Sequence, residues 1–173
     1  AQSRGAHLKR LANIRSFRAI MRTPALFDAG SSGGWKPEWF DPRLRAVIFP
    51  LASASDGAAT AGVDFRAVIT EVHPGVYSFP LFTPEFCNLY LDELDNYYAS
   101  GLPIRRPNSM NNYGIIVNEI GAEAMIDALQ ATILQPVARL LYPTEGACLD
   151  HHHSFMVQYK EGQDLGLDMH TDD

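Results

Sequence analysis

The sequence has few cysteines and no long apolar run. Cys87 and Cys148 are the only cysteines, which excludes a disulfide framework and predicts two buried thiols in a reducing, intracellular compartment. No apolar run reaches the ~18 residues that a membrane-spanning helix needs. The 173 residues, of which 46% are hydrophobic and 20% charged, are instead ordinary for one globular domain with a sizeable core.

The sequence also lacks the short motifs of several enzyme classes. It has no Gly-x-Ser-x-Gly, no glycine-rich phosphate loop after a strand and no paired-cysteine zinc spacing. It has no array of alternating basic and aromatic residues either, and a largely acidic chain is a poor match to phosphate groups. Nucleic acid is therefore not an expected partner.

The charge is spread unevenly along the chain. Residues 1–23 hold six Lys and Arg and no acid, so the rest must carry −12 to give the net charge of −6. Apolar residues recur in this basic segment at steps of three and four, which predicts an amphipathic helix. They are Leu8, Leu11, Ile14, Phe17 and Met21. Such a helix either docks on the domain, lies on a membrane surface or is the remnant of an organelle-targeting segment.

The chain divides into a basic, loop-rich part (residues 1–75) and a part with stronger patterns (residues 76–173). The first part contains small and turn-forming residues over 28–62 and a predicted short helix over 42–52. In the second part we predict a mixture of helices and strands. The helices span 84–99 and 122–134, and the strands span 76–80, 113–117, 149–160 and 167–172. Pro136 either kinks the second helix or starts another that ends near 142–143.

Helix 84–99 has the clearest pattern. Thr83 is a good N-cap and Pro84 is tolerated in the first turn. An apolar stripe follows, formed by Phe86, Tyr90, Leu94 and Tyr97. We expect it to pack on a sheet that includes strand 154–159, through the strand face of Phe155, Val157 and Tyr159. Helices followed by antiparallel strands predict the α+β class.

The triplet His170-Thr171-Asp172 could hold a metal ion. In a strand, residues i and i+2 point to the same face, so an imidazole nitrogen and a carboxylate oxygen can converge on one point. This pair suits Fe(II) in a site of two histidines and one carboxylate. The alternative is a surface histidine beside a solvated aspartate, because the triplet is common by chance. The three histidines at 151–153 are expected to form a turn and a strand start instead.

Longer segments resemble a known group of oxygenases. Residues 159–172 are similar to the start of the jelly-roll core of the 2-oxoglutarate- and iron-dependent oxygenases, with a spacing that resembles the lysyl- and prolyl-hydroxylase branch. Four upstream segments resemble the group named oxygenase domain-containing protein 2. They are residues 79–87, 106–114, 134–136 and 140–143. The resemblance covers roughly residues 76–172 and implies the first strands of a jelly roll, incomplete at the C-terminus.

The resemblance implies roles for individual residues. His170 and Asp172 would be the first two iron ligands. Tyr159 would face the 2-oxoglutarate pocket, although a strand tyrosine packed in the core is an equal alternative. Asn111, Asn112 and Tyr113 would line the pocket mouth, or else form a turn held by asparagine side chains. The third ligand and the basic partner of 2-oxoglutarate have no counterpart in this sequence.

Two functions follow from these observations. The first is an Fe(II)- and 2-oxoglutarate-dependent dioxygenase, present here as an incomplete chain. The second is a non-catalytic accessory subunit without cofactor, in which another protein chain pairs with the exposed edge of the last strand.

Overall fold

A computed structural model describes residues 4–30, 35–49, 64–108, 110–159, 161–162, 166 and 169. Within them lie six α-helices and four short strands. The helices are α1 (Arg4–Arg18), α2 (Pro24–Phe27), α3 (Pro42–Ile48), α4 (Pro84–Ala99), α5 (Glu123–Leu129) and α6 (Gln135–Leu141). The strands are β1 (Thr70–His73), β2 (Val76–Ser78), β3 (Gly114–Ile116) and β4 (Phe155–Val157). No helix in these segments is both long and apolar enough to cross a membrane.

The strands form two separate antiparallel pairs. β1 pairs with β2 in a hairpin, and β3 pairs with β4 so that Ile115 lies opposite Met156. The mixture of helices and antiparallel strands confirms the predicted α+β class, while the jelly roll stays a prediction. The strand predicted over 149–160 was too long, because β4 covers only Phe155–Val157. The strand predicted over 167–172 falls largely outside the described residues.

The beginning of the segment that precedes β4 is held by side chains. The Leu149 backbone N–H donates to the side-chain oxygen of Gln135 at 2.6 Å, and its carbonyl accepts from Gln130 at 2.7 Å. Both glutamines lie on the helical stretch that precedes this segment. Their bonds satisfy backbone groups that a β-ladder would otherwise satisfy.

Helix α1 docks on the domain through its second half. Phe17 is fully buried and meets Tyr97 edge to face, with ring centroids 4.8 Å apart. Arg10 forms an ion pair with Glu123 on α5. Leu8 and Leu11 are exposed, although the apolar spacing placed them on the docked stripe. A docked helix was one of the predicted alternatives, and contact with a membrane surface remains a prediction.

Helix α4 has the predicted bounds, because its start is encoded locally. The Thr83 hydroxyl accepts the Phe86 backbone N–H at 3.2 Å, and Pro84 occupies the first turn. Phe86, Leu94 and Tyr97 are buried. The stripe packs in one cluster with aromatic side chains from α1 and the 35–39 segment and with Ile115 of β3. The α4 stripe and Ile115 of the β3–β4 sheet thus belong to one core cluster.

The prediction of which face of β4 meets the core was wrong. Phe155 and Tyr159 are exposed, and Met156, from the other face of β4, packs on the core. The cysteines were also expected to be buried, but both are exposed. Cys87 lies on the outer side of α4, next to buried Phe86, and Cys148 lies in the segment after α6.

Helices α5 and α6 are joined by a π-helical turn, Gln130–Leu134. Pro136 has no backbone N–H, so the carbonyl four residues earlier cannot receive its usual bond. The Gln135 N–H reaches back five residues to the Gln130 carbonyl, which widens the turn ahead of the proline. Helix α6 begins at Gln135, one residue before Pro136, and ends at Leu141, close to the predicted end near 142–143. The division of the chain at residues 75 and 76 stays a prediction.

Candidate functional site

The residues predicted at the pocket mouth lie in a polar loop, residues 105–113, which is fastened to strand β4. The Gln158 N–H donates to the Tyr113 carbonyl at 3.2 Å, which extends the β3–β4 pairing by one bond. His153 contacts the Pro107 carbonyl at 3.4 Å through Nε2. The loop therefore meets both ends of β4, although more than 40 residues separate them in sequence.

Gly114 permits the closest approach between the polar loop and β4. Its φ of +136° lies in a region that favours glycine. An added Cβ would lie 2.1 Å from the Met156 carbonyl oxygen and 2.7 Å from Cγ of Pro107. No side chain larger than hydrogen fits there, so this glycine fixes the distance between the loop and the strand.

The loop brings Asn111 to Tyr159. The Asn111 side-chain amide donates to the Tyr159 hydroxyl at 3.3 Å. Asn111 is buried, while Tyr159 is 54% exposed. The alternative of a tyrosine packed in the core is therefore excluded, because more than half of Tyr159 is exposed.

The other two predicted pocket residues lie beside this pair. Asn112 accepts a hydrogen bond from Arg106 at 2.8 Å through its side-chain oxygen. Tyr113 is 40% exposed. The asparagine turn that we considered as an alternative also exists, because the Asn108 side chain accepts the N–H groups of Met110 and Asn111 at 3.0 and 2.8 Å. A turn and a polar surface thus coexist in one loop.

A second polar cluster, centred on His152, was not predicted from the sequence. His152 Nε2 lies 3.0 Å from the Asp127 carboxylate, and Nδ1 lies 2.8 Å from the Ser154 hydroxyl. Asn118 accepts the Ser154 backbone N–H at 2.8 Å. The cluster ties α5 and the turn after β3 to the chain entering β4, so its evident role is structural. The sequence analysis expected these histidines to form a turn and a strand start, and it assigned them no contacts.

The predicted metal ligands His170 and Asp172 lie outside the described residues. Within the residues that are described, no three His, Cys, Asp or Glu side chains are grouped to hold a metal ion. An imidazole and a carboxylate would suit Fe(II) as donors. The described part of the site therefore consists of the polar loop and Tyr159.

A surface cavity of about 270 Å³ lies between the β1–β2 hairpin and α6. Arg66, Glu71 and Tyr77 supply its polar lining, and Leu140 and Leu141 are among its apolar residues. None of the predicted site residues that the structure describes lines it. The cavity is therefore separate from the polar loop.

Comparison with known proteins adds independent information. Residues 36–147 match the family model described as the OGFOD2-like domain. Over 145 residues the chain is 39% identical to human 2-oxoglutarate and iron-dependent oxygenase domain-containing protein 2, a match that covers 79% of this chain and 41% of the relative. The Xenopus tropicalis protein of the same name is 45% identical over 102 residues, which cover 56% of this chain and 28% of that protein.

A plant relative is also similar. The chain is 36% identical over 115 residues to Arabidopsis thaliana 2-oxoglutarate and iron-dependent oxygenase domain-containing protein ICU11, covering 64% of this chain and 29% of the relative. The chain thus spans less than half the length of the relatives it matches. No solved structure matches it.

Proposed function

The chain belongs to the family of OGFOD2-like domains, and we propose that it forms part of an Fe(II)- and 2-oxoglutarate-dependent dioxygenase. Its relatives carry both cofactors in their names. The structural observation that supports this function best is the position of Tyr159. Its side chain is exposed and hydrogen-bonded to the polar loop, two residues after the end of β4.

Different residues of this chain would bind the iron and the 2-oxoglutarate. His170 and Asp172 would supply two iron ligands, a neutral imidazole nitrogen and a carboxylate oxygen. Tyr159 would donate a hydrogen bond to a 2-oxoglutarate carboxylate, and Asn112 and Tyr113 would border that site. When bound, Fe(II) and 2-oxoglutarate supply the oxygen activation and decarboxylation that drive hydroxylation of a C–H bond.

The test is turnover by the full-length protein that contains this chain. Supplied with Fe(II), it should convert 2-oxoglutarate to succinate, measured by mass spectrometry, in the presence of extracts that contain its substrate. His170→Ala and Asp172→Ala should abolish succinate formation above background while each variant keeps the parent melting temperature. If His170 served only in packing, its replacement would change the stability of the protein instead of its turnover.

The matched control is His73→Ala. His73 is an exposed histidine on β1, so its loss should change neither turnover nor folding. Wild-type turnover in folded His170→Ala would refute the metal role and with it the dioxygenase function. Loss of turnover in His73→Ala would mean that the assay reports folding and not the site.

A non-catalytic accessory role is the second candidate. Among the described strands, each of the two sheets has only two members, so each strand has one edge without a described partner. An open edge can pair with another chain. Co-purification of the full-length protein with a stoichiometric partner, together with no succinate formation above background by the wild-type protein, would favour this role.

A further inference from the structure

Two asparagine–tyrosine hydrogen bonds lie within the described part of the chain. In the first, the Asn13 side-chain amide donates to the Tyr97 hydroxyl at 2.6 Å. The Tyr97 hydroxyl in turn donates to the Pro103 carbonyl at 2.7 Å. Because an amide NH₂ can only donate, it occupies a lone pair of the phenol and leaves the phenolic proton for another acceptor.

The second pair, Asn111 and Tyr159, has the same donor arrangement, with 3.3 Å between the amide nitrogen and the phenolic oxygen. Here, within the described residues, no protein oxygen accepts the phenolic proton of Tyr159. The tyrosine is 54% exposed, while the asparagine that holds it is 2% exposed. Among the described residues the Tyr159 O–H thus has no acceptor and can donate to a ligand, while the Asn111 amide that bonds its oxygen is buried.

The backbone around Asn111 is anchored from both sides. The Asn108 side chain accepts the Asn111 backbone N–H at 2.8 Å, and three residues later Gly114 is pressed against the Met156 carbonyl. The backbone that carries the Asn111 side chain is therefore held in place, and the side chain itself is buried. A water molecule that took the place of the Asn111 amide would have to occupy a buried position.

We propose that Asn111 is a positioning residue for 2-oxoglutarate. It donates to the oxygen of Tyr159 and so directs the phenolic O–H toward the co-substrate carboxylate. This inference rests on the proposed function, because 2-oxoglutarate is the ligand that receives the bond. It adds a buried residue that does not itself contact the ligand.

The experiment measures the affinity of the full-length protein for 2-oxoglutarate by calorimetry, with Mn(II) in place of Fe(II) to prevent turnover. The variants are Asn111→Ala, Asn111→Asp, Tyr159→Phe and the double variant Asn111→Ala with Tyr159→Phe. Asn13→Ala is the matched control, because it removes the same type of bond from a tyrosine outside the site. A second readout is the ¹³Cζ resonance of labelled tyrosine in metal-free protein, which reports on the Tyr159 bond without ligand.

Tyr159→Phe should weaken 2-oxoglutarate binding about tenfold or more, because a bond to a charged group is lost. Asn111→Ala should weaken it about three- to tenfold. The double variant should be no weaker than Tyr159→Phe alone, because Asn111 acts through the hydroxyl. Asn111→Asp, which replaces a donor by an acceptor of the same size, should weaken binding at least as much as Asn111→Ala. Asn13→Ala should lower the melting temperature and leave the affinity unchanged.

Several results would overturn the inference. If Tyr159→Phe weakens binding but both Asn111 variants stay within twofold of wild type, Asn111 does not position the hydroxyl, while the proposed function stands. An unchanged Tyr159 resonance in Asn111→Ala would show that the hydrogen bond is absent. If Asn111→Ala fails to fold, the near-isosteric Asn111→Asp decides the question. If wild-type protein neither binds nor turns over 2-oxoglutarate, the proposed function fails and this inference with it.

Discussion

The carboxylate of Glu93, on α4, accepts the backbone N–H of Thr23 at 2.7 Å, although this glutamate is only 1% exposed. Both carboxylate oxygens also lie 3.1 Å from the Arg22 N–H, and Asn96 donates to one of them at 2.8 Å. A buried carboxylate is tolerated only when such donors replace water. Glu93 thereby fixes the turn between α1 and α2 to the middle of α4.

Glu93→Ala should lower the free energy of unfolding by about 3 kcal/mol, because it leaves buried N–H groups without an acceptor. Denaturant unfolding followed by circular dichroism measures this. The control is Asp92→Ala, at the exposed neighbouring position, which should stay within about 0.5 kcal/mol of the parent. Equal stabilities for the two variants would show that the carboxylate does not hold the turn.

Leu94→Asp should unfold or aggregate the protein, because it places a charge in the core cluster at a position that is 4% exposed. Leu91→Asp is the matched control. It makes the same change one turn earlier on α4, at a position that is 49% exposed. Thermal melting should separate the two by well over ten degrees. If Leu94→Asp melts within a degree or two of the parent, the apolar stripe does not carry the core.

Cys148 should react slowly with alkylating reagents despite its exposure. Its thiol donates to the Asp150 carboxylate at 2.6 Å, and this hydrogen bond and the negative charge raise the pKa of the thiol. A raised pKa lowers the fraction of thiolate, the reactive form, at any pH below it. Asp150→Asn should therefore speed iodoacetamide labelling of Cys148 at pH 8 and move its rate profile to lower pH. Labelling of Cys87 in the same molecule is the internal control and should not change.

The sequence predicts best those elements whose determinants are local. Helix α4 was predicted with its bounds because Thr83, Pro84 and the apolar stripe all lie within it or directly before it. Strand β4 was predicted too long because its alternation continues beyond the residues that pair with β3, and pairing depends on a segment some 40 residues away. The face of β4 was also misassigned. Phe155 and Met156 are both apolar, so alternation alone cannot select which one faces the core.

For the candidate site, the sequence indicated residues but not their contacts. Tyr159 and the polar loop were identified through a family resemblance, and the structure brings them together. The bond between Asn111 and Tyr159 spans 48 residues and depends on the β3–β4 register, which no local pattern encodes. The buried Glu93 was missed for a similar reason, because its donors come from the turn before α2. The assignment of His170 and Asp172 as metal ligands rests on the sequence alone.

Gly114→Ala provides the most direct test of how the polar loop is attached to β4. The added methyl group would lie 2.1 Å from the Met156 carbonyl oxygen, in a backbone conformation with φ of +136°. The contact is with backbone and cannot be relieved by a rotamer change. The loop and the strand must therefore move apart, and we expect a loss of about 3 kcal/mol or more in the free energy of unfolding.

Gly75→Ala is the matched control for this variant. Gly75 also has a positive φ, +74°, but a methyl group added there would have no other atom within 4 Å, so only backbone strain of about 1–2 kcal/mol is expected. Hydrogen exchange separates local from global effects. In Gly114→Ala the Gln158 amide, which donates to the Tyr113 carbonyl at 3.2 Å, should exchange much faster than in Gly75→Ala at equal global stability. Equal exchange rates would mean that the polar loop is not held against β4 by this close contact.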